Sequence, residues 1–356
     1  MYDSRMFQFK QHVSDFIVSE LIHVVPGATG TVLLVHIEKR NQTTMEILDH
    51  LTHTTGIPRW SIGIGGLKDK YGITRQWISI YKKTLAIYGG MSAVLWSLER
   101  ICRVLEYGRS DHMLSRWDHR GNRFTITLRY DAISQTITSH TEKILQQIKT
   151  YGFPNRYGEQ RFGQTGKNHE IWRDILRNGH TMGDRHEDKF KIQAYVSSLF
   201  NDYIEEKMKI WLLDGDILID GSYYYLYRDS QTLQFDYRGL VAQHKHQPFF
   251  WPRTGVETTL SDPERLLSWP MIGHNLLVCP MGTAASKAEI QRLKSHEVSF
   301  ADLVRFIPSQ TFGVRRPLWC MPSHFSRSRS WKQLVLQVDL PPGSYASVLV
   351  DQLKME

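Results

Sequence analysis

Long apolar runs are missing from this 356-residue chain. No stretch reaches the roughly 18 consecutive apolar residues that a membrane-spanning helix needs, and the N-terminus, MYDSRMFQFKQ, lacks the apolar core of a secretory signal. Cysteine is scarce. The three present, Cys102, Cys279 and Cys320, are far apart and odd in number, which argues against a disulfide framework and a CxxC metal site. The 16 histidines are scattered, and neither HKHQ from His244 nor HQPFFW from His246 matches HExxH or a Cys/His box. Gly63–Lys70, GIGGLKDK, lacks both GxGxxG and GxxxxGK[ST], and there is no GxSxG elbow. No metal and no cofactor is therefore expected, and the chain reads as cytoplasmic.

What the sequence does have is positive charge. Its formal net charge is +8, which favours a polyanionic partner by long-range attraction. Aromatic residues make up 12% of the chain, enough to offer stacking surfaces for unpaired bases beyond those the core consumes. One stretch concentrates both properties. Between Leu303 and Val338 stand Arg305, Arg315, Arg316, Arg327, Arg329 and Lys332 with no acid, interleaved with Phe306, Phe312, Trp319, Phe325 and Trp331. This run is either a solvated basic face or, in part, a set of phosphate contacts, and the second is expected.

Local patterns place the elements. Thr31–Lys39 is a β-rich apolar run. Thr43 and Glu46 then stand in capping-box spacing, with Met45, Leu48 and Leu51 on one helical face and Gly56 as the stop. Strand chemistry returns at Trp60–Gly66 and Thr74–Lys82. Arg123–Tyr130 alternates, with Phe124, Ile126, Leu128 and Tyr130 turned inward. A helix follows, carrying Ile137, Ile144, Leu145, Ile148 and Tyr151, and it ends at Gly152. Beyond Gly179 come a long amphipathic helix with Ile192, Val196, Leu199 and Tyr203 on its stripe, the turn Asp214–Asp216, hairpin-like strands (ILID, YYYLY), a Pro/Trp-rich stretch (QPFFWPRTG) and a helix around SKAEIQRLKSHE. The chain closes on the strand KQLVLQVDL, the loop PPGSY and the short helix ASVLVDQL. Intermixed strands and helices predict an α+β fold.

The segment GGLKDKYGITRQW, Gly65–Trp77, puts a carboxylate, Asp69, on the loop joining two of these strands. It could be one charge in a solvated surface turn. It could equally be a nucleophile toward an anomeric carbon, which must stay ionised and so needs a nearby cation. Lys68 and Lys70 flank it, but neighbours along a strand or loop point apart, so a partner from elsewhere in the chain is expected.

This segment resembles the defining G-x-K-D-x-x-A-x-T-x-Q pattern of the TruD family of tRNA pseudouridine synthases. Other family segments flank it in order: SDFIVSE (Ser14–Glu20), VLEYGRSDHMLSRWDHRGNRFTITLR, GFPNRYGEQRFG (Gly152–Gly163), SSLFNDYIEEKMK, DGDIL, and LPPGSYASVLVDQL. The resemblance implies that Asp69 is the catalytic aspartate and that Lys10 is the basic residue paired with it. It places Phe16 and Asn155 at active-site positions and Tyr157 where an aromatic packs against the target base. Gln76 closes the catalytic motif, and Glu20, Gln160 and Arg161 belong to the surrounding shell. Lys68 is expected to contact phosphate, and Lys70 either to do the same or to lie on solvated surface. Two departures stand out: Gly72 replaces the usual alanine, which is expected to loosen the loop, and Arg156–Tyr157 replaces Tyr–Phe.

The implied architecture is a pseudouridine synthase catalytic domain, with a mixed β-sheet and flanking helices, formed by residues 1–178 and 312–356. An α/β TRUD domain is inserted over residues 179–311. The implied activity is isomerisation of a uridine in tRNA, at position 13 in the family, to pseudouridine. The partner is structured RNA, tRNA, with no membrane and no protein partner required, and a monomer is expected. Two other readings stay open: an RNA-binding or RNA-folding protein of the same fold with lost or secondary catalysis, and a nucleoside hydrolase or glycosidase using Asp69. The second would want another acid for its leaving group, and the motif offers none.

Overall fold

A computed structural model of the chain describes residues 7–24, 26–130, 135–163, 165–178, 185–214, 219–220, 225–227, 257–258, 265–273, 284–306, 313–330 and 332–354. The chain divides into two compact units, Met1–Lys143 with Pro322–Gly343, and Ile144–Met321 with Ser344–Glu356. No described helix is long and apolar enough to cross a membrane.

The first unit is built on strands β1 (Gln8–Phe9), β2 (Phe16–Ile22), β3 (Val32–Arg40), β4 (Ile62–Ile64), β5 (Ile73–Tyr81), β6 (Arg103–Ser110) and β7 (His119–Arg129). Helices α1 (Thr44–Thr55), α2 (Lys82–Ile87) and α3 (Gly90–Glu99) lie between them. The late strands Ser323–Arg329 and Gln333–Leu340 complete the sheet on the other side of β7. From that edge the order runs β7, β2, β5, β3, β6, with β1 pairing β7 and β4 pairing β5. Only β2 and β5 run parallel among the pairs of this sheet; the others are antiparallel. The sheet is mixed and the fold is α+β, as the interspersed patterns predict.

Alternation and capping explain why these residues form these elements. Phe124, Ile126 and Leu128 on β7, and Tyr130 just beyond its end, are buried as expected. Thr43 Oγ1 accepts from the Glu46 backbone N–H while a Glu46 carboxylate oxygen accepts from Thr43 N–H, closing the capping box of α1. Gly56 ends that helix in the left-handed conformation. The face of α1 differs by one position from expectation: Ile47, Leu48 and Leu51 are buried, whereas Met45 is exposed. These three side chains cover a row of β3, Leu33, Val35 and Ile37, to make the main core on that face of the sheet. Val32, Leu34, Trp77 and Leu114 pack together on the other. Two ion pairs tie distant segments to the sheet: Arg129 grips the buried Asp15 with both nitrogens, and Arg123 grips Asp339 opposite it on the neighbouring strand.

In the second unit, α6 (Arg185–Asp214) buries the predicted stripe Ile192, Val196, Leu199 and Tyr203. Helices α4 (Gln135–Tyr151) and α5 (Asn168–Asn178) precede it; on α4, Leu145 and Ile148 are buried, but Tyr151 is exposed rather than on the core face. Among the described residues, Ile219–Asp220 pairs with Glu257–Thr258 and Tyr225–Tyr227 pairs with Arg265–Met271; the turn expected to join the first strands of these pairs as a hairpin lies outside the described residues. The strand Arg265–Met271 also pairs with Val314–Pro317. QPFFWPRTG and the glycine and second aspartate of the Asp214–Asp216 turn lie outside the described residues.

Candidate active site

The site residues fall into two sets, one in each unit. In the first unit, the parallel register Ile17↔Ile73 sets the start of β2 beside the start of β5, and the register Lys39↔Thr74 sets the end of β3 beside the same point. The loop Gly65–Gly72, which carries Asp69, leaves β4 and enters β5 here. Segments far apart in sequence therefore converge on one loop.

Lys10 comes from the turn after β1 and takes the left-handed conformation, φ 60°. Its ammonium sits 4.0 Å from the ring centroid of Phe16, 5.1 Å from that of Phe9 and 5.9 Å from that of Tyr71, an aromatic nest suited to a cation. Burial lowers the affinity of Lys10 for its proton, and the charge of Asp69 works in the opposite direction. Phe16 is buried, with Lys10 over its ring and Phe9 and Phe124 at its sides. Its ring serves the lysine.

The lysines flanking Asp69 diverge, as expected of chain neighbours. Lys70 reaches out to Glu46, whereas Lys68 turns inward, its ammonium 2.8 Å from Glu20 Oε1 with both side chains buried. Lys68 is thus not displayed toward a phosphate. The other Glu20 oxygen accepts the Trp77 N–H at 2.8 Å. Thr44 Oγ1 accepts the Lys68 N–H and donates to Gln76 Oε1, so Gln76 also faces the protein interior. Beside Glu20, His119 is pushed down to about 3, by burial first and then by the Lys68 charge, and is neutral at ordinary pH.

Two residues that sequence reasoning passed over complete this set. Lys39, 1% exposed, donates to the main-chain carbonyls of Gln42 at 2.6 Å and Asp69 at 2.7 Å. The Tyr71 hydroxyl donates to the Lys10 carbonyl at 2.7 Å. Lys39 had a readable signal, a lysine at the next inward position after Leu33, Val35 and Ile37. Tyr71 had none. Gly72, expected to loosen the loop, fixes it instead. Its φ is +115°, a Cβ would collide with the Phe16 carbonyl oxygen, and its N–H and C=O both bond Asn41.

In the second unit, Asn155 is buried and fully engaged. Its N–H donates to the Leu318 carbonyl, its amide nitrogen to the Pro317 carbonyl, and its side-chain oxygen accepts from Arg316 and Ser344. Arg316 in turn lies over the Tyr157 ring, 3.9 Å from its centroid, with Arg161 at 5.2 Å. The main chain of Tyr157 is held on α6 by both ends of the Asn201 amide. Arg161 also donates to Ser197. Gln160 is exposed and lines a cavity of about 1100 Å³ with Phe162, His169, Asn201 and Glu205. The departure at Arg156 is met by an ion pair to Glu205.

The basic run near the C-terminus is less available than its composition suggests. Arg315 is buried on Glu289, Arg316 on Asn155, and Arg327 and Arg329 share Glu142. Partners distant in sequence supply the acids that the run lacks, so these four arginines are committed within the protein. The side chain of Arg305 lies outside the described residues.

Comparison with known proteins gives a consistent result. The family model described as tRNA pseudouridine synthase D (TruD) matches residues 5–182. Proteins named tRNA pseudouridine synthase D align along nearly the whole chain. The one from Wolinella succinogenes is 29% identical over 98% of this chain and 94% of its own length. The one from Thermus thermophilus is 28% identical over 96% and 87% respectively. Among solved structures, the Methanosarcina mazei protein assigned as tRNA pseudouridine synthase D (TruD) shares the fold, with a TM-score of 0.64 at 18% identity, covering 100% of this chain and 97% of that one.

Proposed function

Since the chain belongs to the TruD family of tRNA pseudouridine synthases, half of its length matching the family model, we propose how its own residues carry out that reaction. The protein is an isomerase that converts a uridine of tRNA to pseudouridine. The observation that carries the assignment of roles is the Asp69 loop, in which the family's motif is held from three sides by Lys39, Glu20 and the Lys10 turn.

The target uridine, proposed to be the one at position 13, is flipped out of its stack. Asp69, with the Lys10 ammonium as its proposed partner, attacks the ribose C1′ or takes the C2′ proton to give a glycal. In both routes the N1–C1′ bond breaks, the uracil turns, and C5 bonds to C1′, displacing the Asp69 carboxylate in the first route and with the proton returned to C2′ in the second. The C5 proton then leaves while N1 gains one. Substrate and product are isomers, so no second substrate enters the balance.

Tyr157 is proposed to pack against the base, with Arg316 and Arg161 on its ring. Phe16 and Asn155 act one step removed, Phe16 by seating Lys10 and Asn155 by seating Arg316. Glu20, Lys68 and Gln76 brace the catalytic loop, and Gln160 faces solvent beside Arg161. The inserted TRUD domain is proposed to span residues 179–311, which lie wholly within the second compact unit. Action as a monomer in the cytoplasm, without a protein partner, completes the proposal.

Transcribed tRNA incubated with the protein and with Asp69→Asn, followed by mapping of pseudouridine, tests this reading. Modification at a single uridine by the native protein alone supports it. Tight binding without modification by either protein would favour an RNA-binding role, and release of free uracil a hydrolase.

A further inference from the structure

Lys39 is a buried cation in an apolar row. Leu33, Val35 and Ile37 precede it on the face of β3 that α1 covers, and strand alternation points Lys39 the same way. Its two lysine neighbours at the site have carboxylates, Lys68 with Glu20 and Lys70 with Glu46. Among the described residues, Lys39 has no carboxylate within ion-pairing distance; its hydrogen bonds run to the carbonyls of Gln42 and Asp69. Removing an ammonium from water without a paired anion costs several kcal/mol. A methionine would fill the same space without that cost, so packing alone does not account for a lysine here.

We propose that Lys39 is a positioning residue for Asp69, clamping the Asp69 peptide to the end of β3 and holding a buried positive charge beside the carboxylate. The proposal rests on the catalytic role of Asp69 given above. The clamp fixes the backbone from which the carboxylate projects, and Thr74 Oγ1 shares the same carbonyl at 3.5 Å. The charge favours the ionised form of Asp69, acting with Lys10 from the opposite segment.

A pH dependence follows from this geometry. The charged groups facing Lys39 are Asp69 on the loop, Glu46 on α1 and Lys68 on the loop. Burial is the largest influence and brings Lys39 down to about 8, with Asp69 and Glu46 opposing and Lys68 adding to the fall. Loss of its proton removes both the charged donor and the cation, so turnover declines as pH rises through that region.

The test compares native protein, Lys39→Met, Lys39→Arg and Lys10→Arg in single-turnover pseudouridine formation on tRNA across the acid and alkaline range. Lys39→Met is expected to lower kcat about a hundredfold with KM nearly unchanged and to lose the alkaline limb. Lys39→Arg, which cannot deprotonate, keeps part of the activity and moves the limb beyond the range. Lys10→Arg retains the limb. If the limb disappears in Lys10→Arg, it belongs to Lys10 and the proposal falls, even should both Lys39 variants fail to fold. Titration of the Asp69 carboxyl by carbon NMR, assigned through Asp69→Asn, reads the charge effect in the free protein. A midpoint unchanged in folded Lys39→Met overturns the proposal. If native protein and Asp69→Asn are equally inert on tRNA, the enzymatic reading fails while the NMR midpoint still decides the role of Lys39.

Discussion

The hydroxyl of Tyr71 donates to the main-chain carbonyl of Lys10 across 2.7 Å, fastening the loop that carries Asp69 to the turn that carries its proposed partner. Lys10 stands at φ 60°, a conformation that costs a non-glycine residue on the order of 1 kcal/mol or more and persists only where surroundings hold it. The Tyr71 bond is one such restraint, and the aromatic nest around the ammonium is another.

Tyr71→Phe should therefore separate stability from turnover. The bond lies at a partly exposed edge where water can replace it, so the loss of stability should be about 1 kcal/mol or less. The Lys10 turn, released from φ 60°, no longer fixes the ammonium relative to Asp69. A several-fold fall in kcat with KM for tRNA preserved is expected. Equal activity of Tyr71→Phe and native protein would show that the restraint is redundant.

Gly72→Ala restores the residue that the family pattern carries at this position, and is nonetheless expected to destabilise the protein. At φ +115° the added Cβ meets the Phe16 carbonyl and the Phe16 ring, so β2 or the loop must shift. A cost of about 1–3 kcal/mol is expected for a side chain forced into such backbone, read as a lower urea midpoint. An unchanged midpoint would mean that the loop has a second backbone conformation of nearly equal energy.

These two residues also show where the sequence was legible. The β7 alternation and the Thr43–Glu46 capping box are local patterns, and the structure reproduces them. The Asp69 loop was placed by the strands on either side and singled out by resemblance. What local pattern could not convey was the parallel pairing of β2 with β5, because register across a long crossover leaves no periodic trace. That pairing sets the segment before β2 against the loop before β5. Lys10, Phe16 and Tyr71 meet through it, Lys68 finds Glu20 there instead of solvent, and Gly72 acquires its constraint. Arginines in the late basic run likewise looked free because their acids, Glu142 and Glu289, lie elsewhere in the chain.

Acid sensitivity should trace to His119. Burial holds its folded-state value down to about 3, while in the unfolded chain it binds a proton below about 6.5. Between these values the unfolded state carries a proton that the folded state does not, so stability falls as pH drops through this window. The loss should approach about 2 kcal/mol by roughly pH 5, and His119→Gln should flatten it. Asp15 adds a second decline at lower pH. Its burial works to raise it, but the Arg129 pair and the His12 N–H hold it below the usual carboxylate value, so its contribution is lost only as pH falls through that depressed value. Urea midpoints at neutral and mildly acidic pH for both proteins provide the measurement. A slope that survives His119→Gln would assign the sensitivity to another group.

The Glu20–Lys68 pair gives the final prediction, because it sets loop support against RNA contact. Both side chains are buried, at 1% and 4% exposure, so removing one charge strands the other in the core. Glu20→Gln and Lys68→Met should each cost about 3–5 kcal/mol. The double variant should recover much of that loss, since two neutral groups leave no uncompensated charge. The same variants bear on phosphate contact. A lysine that neutralises a phosphate contributes about one to the slope of log affinity against log salt. With its ammonium on Glu20, Lys68 contributes nothing to that slope, and the folded double variant should bind tRNA with the native salt dependence. A slope reduced by about one would mean that Lys68 leaves Glu20 for the RNA backbone when substrate arrives, making the buried pair a resting arrangement of the loop.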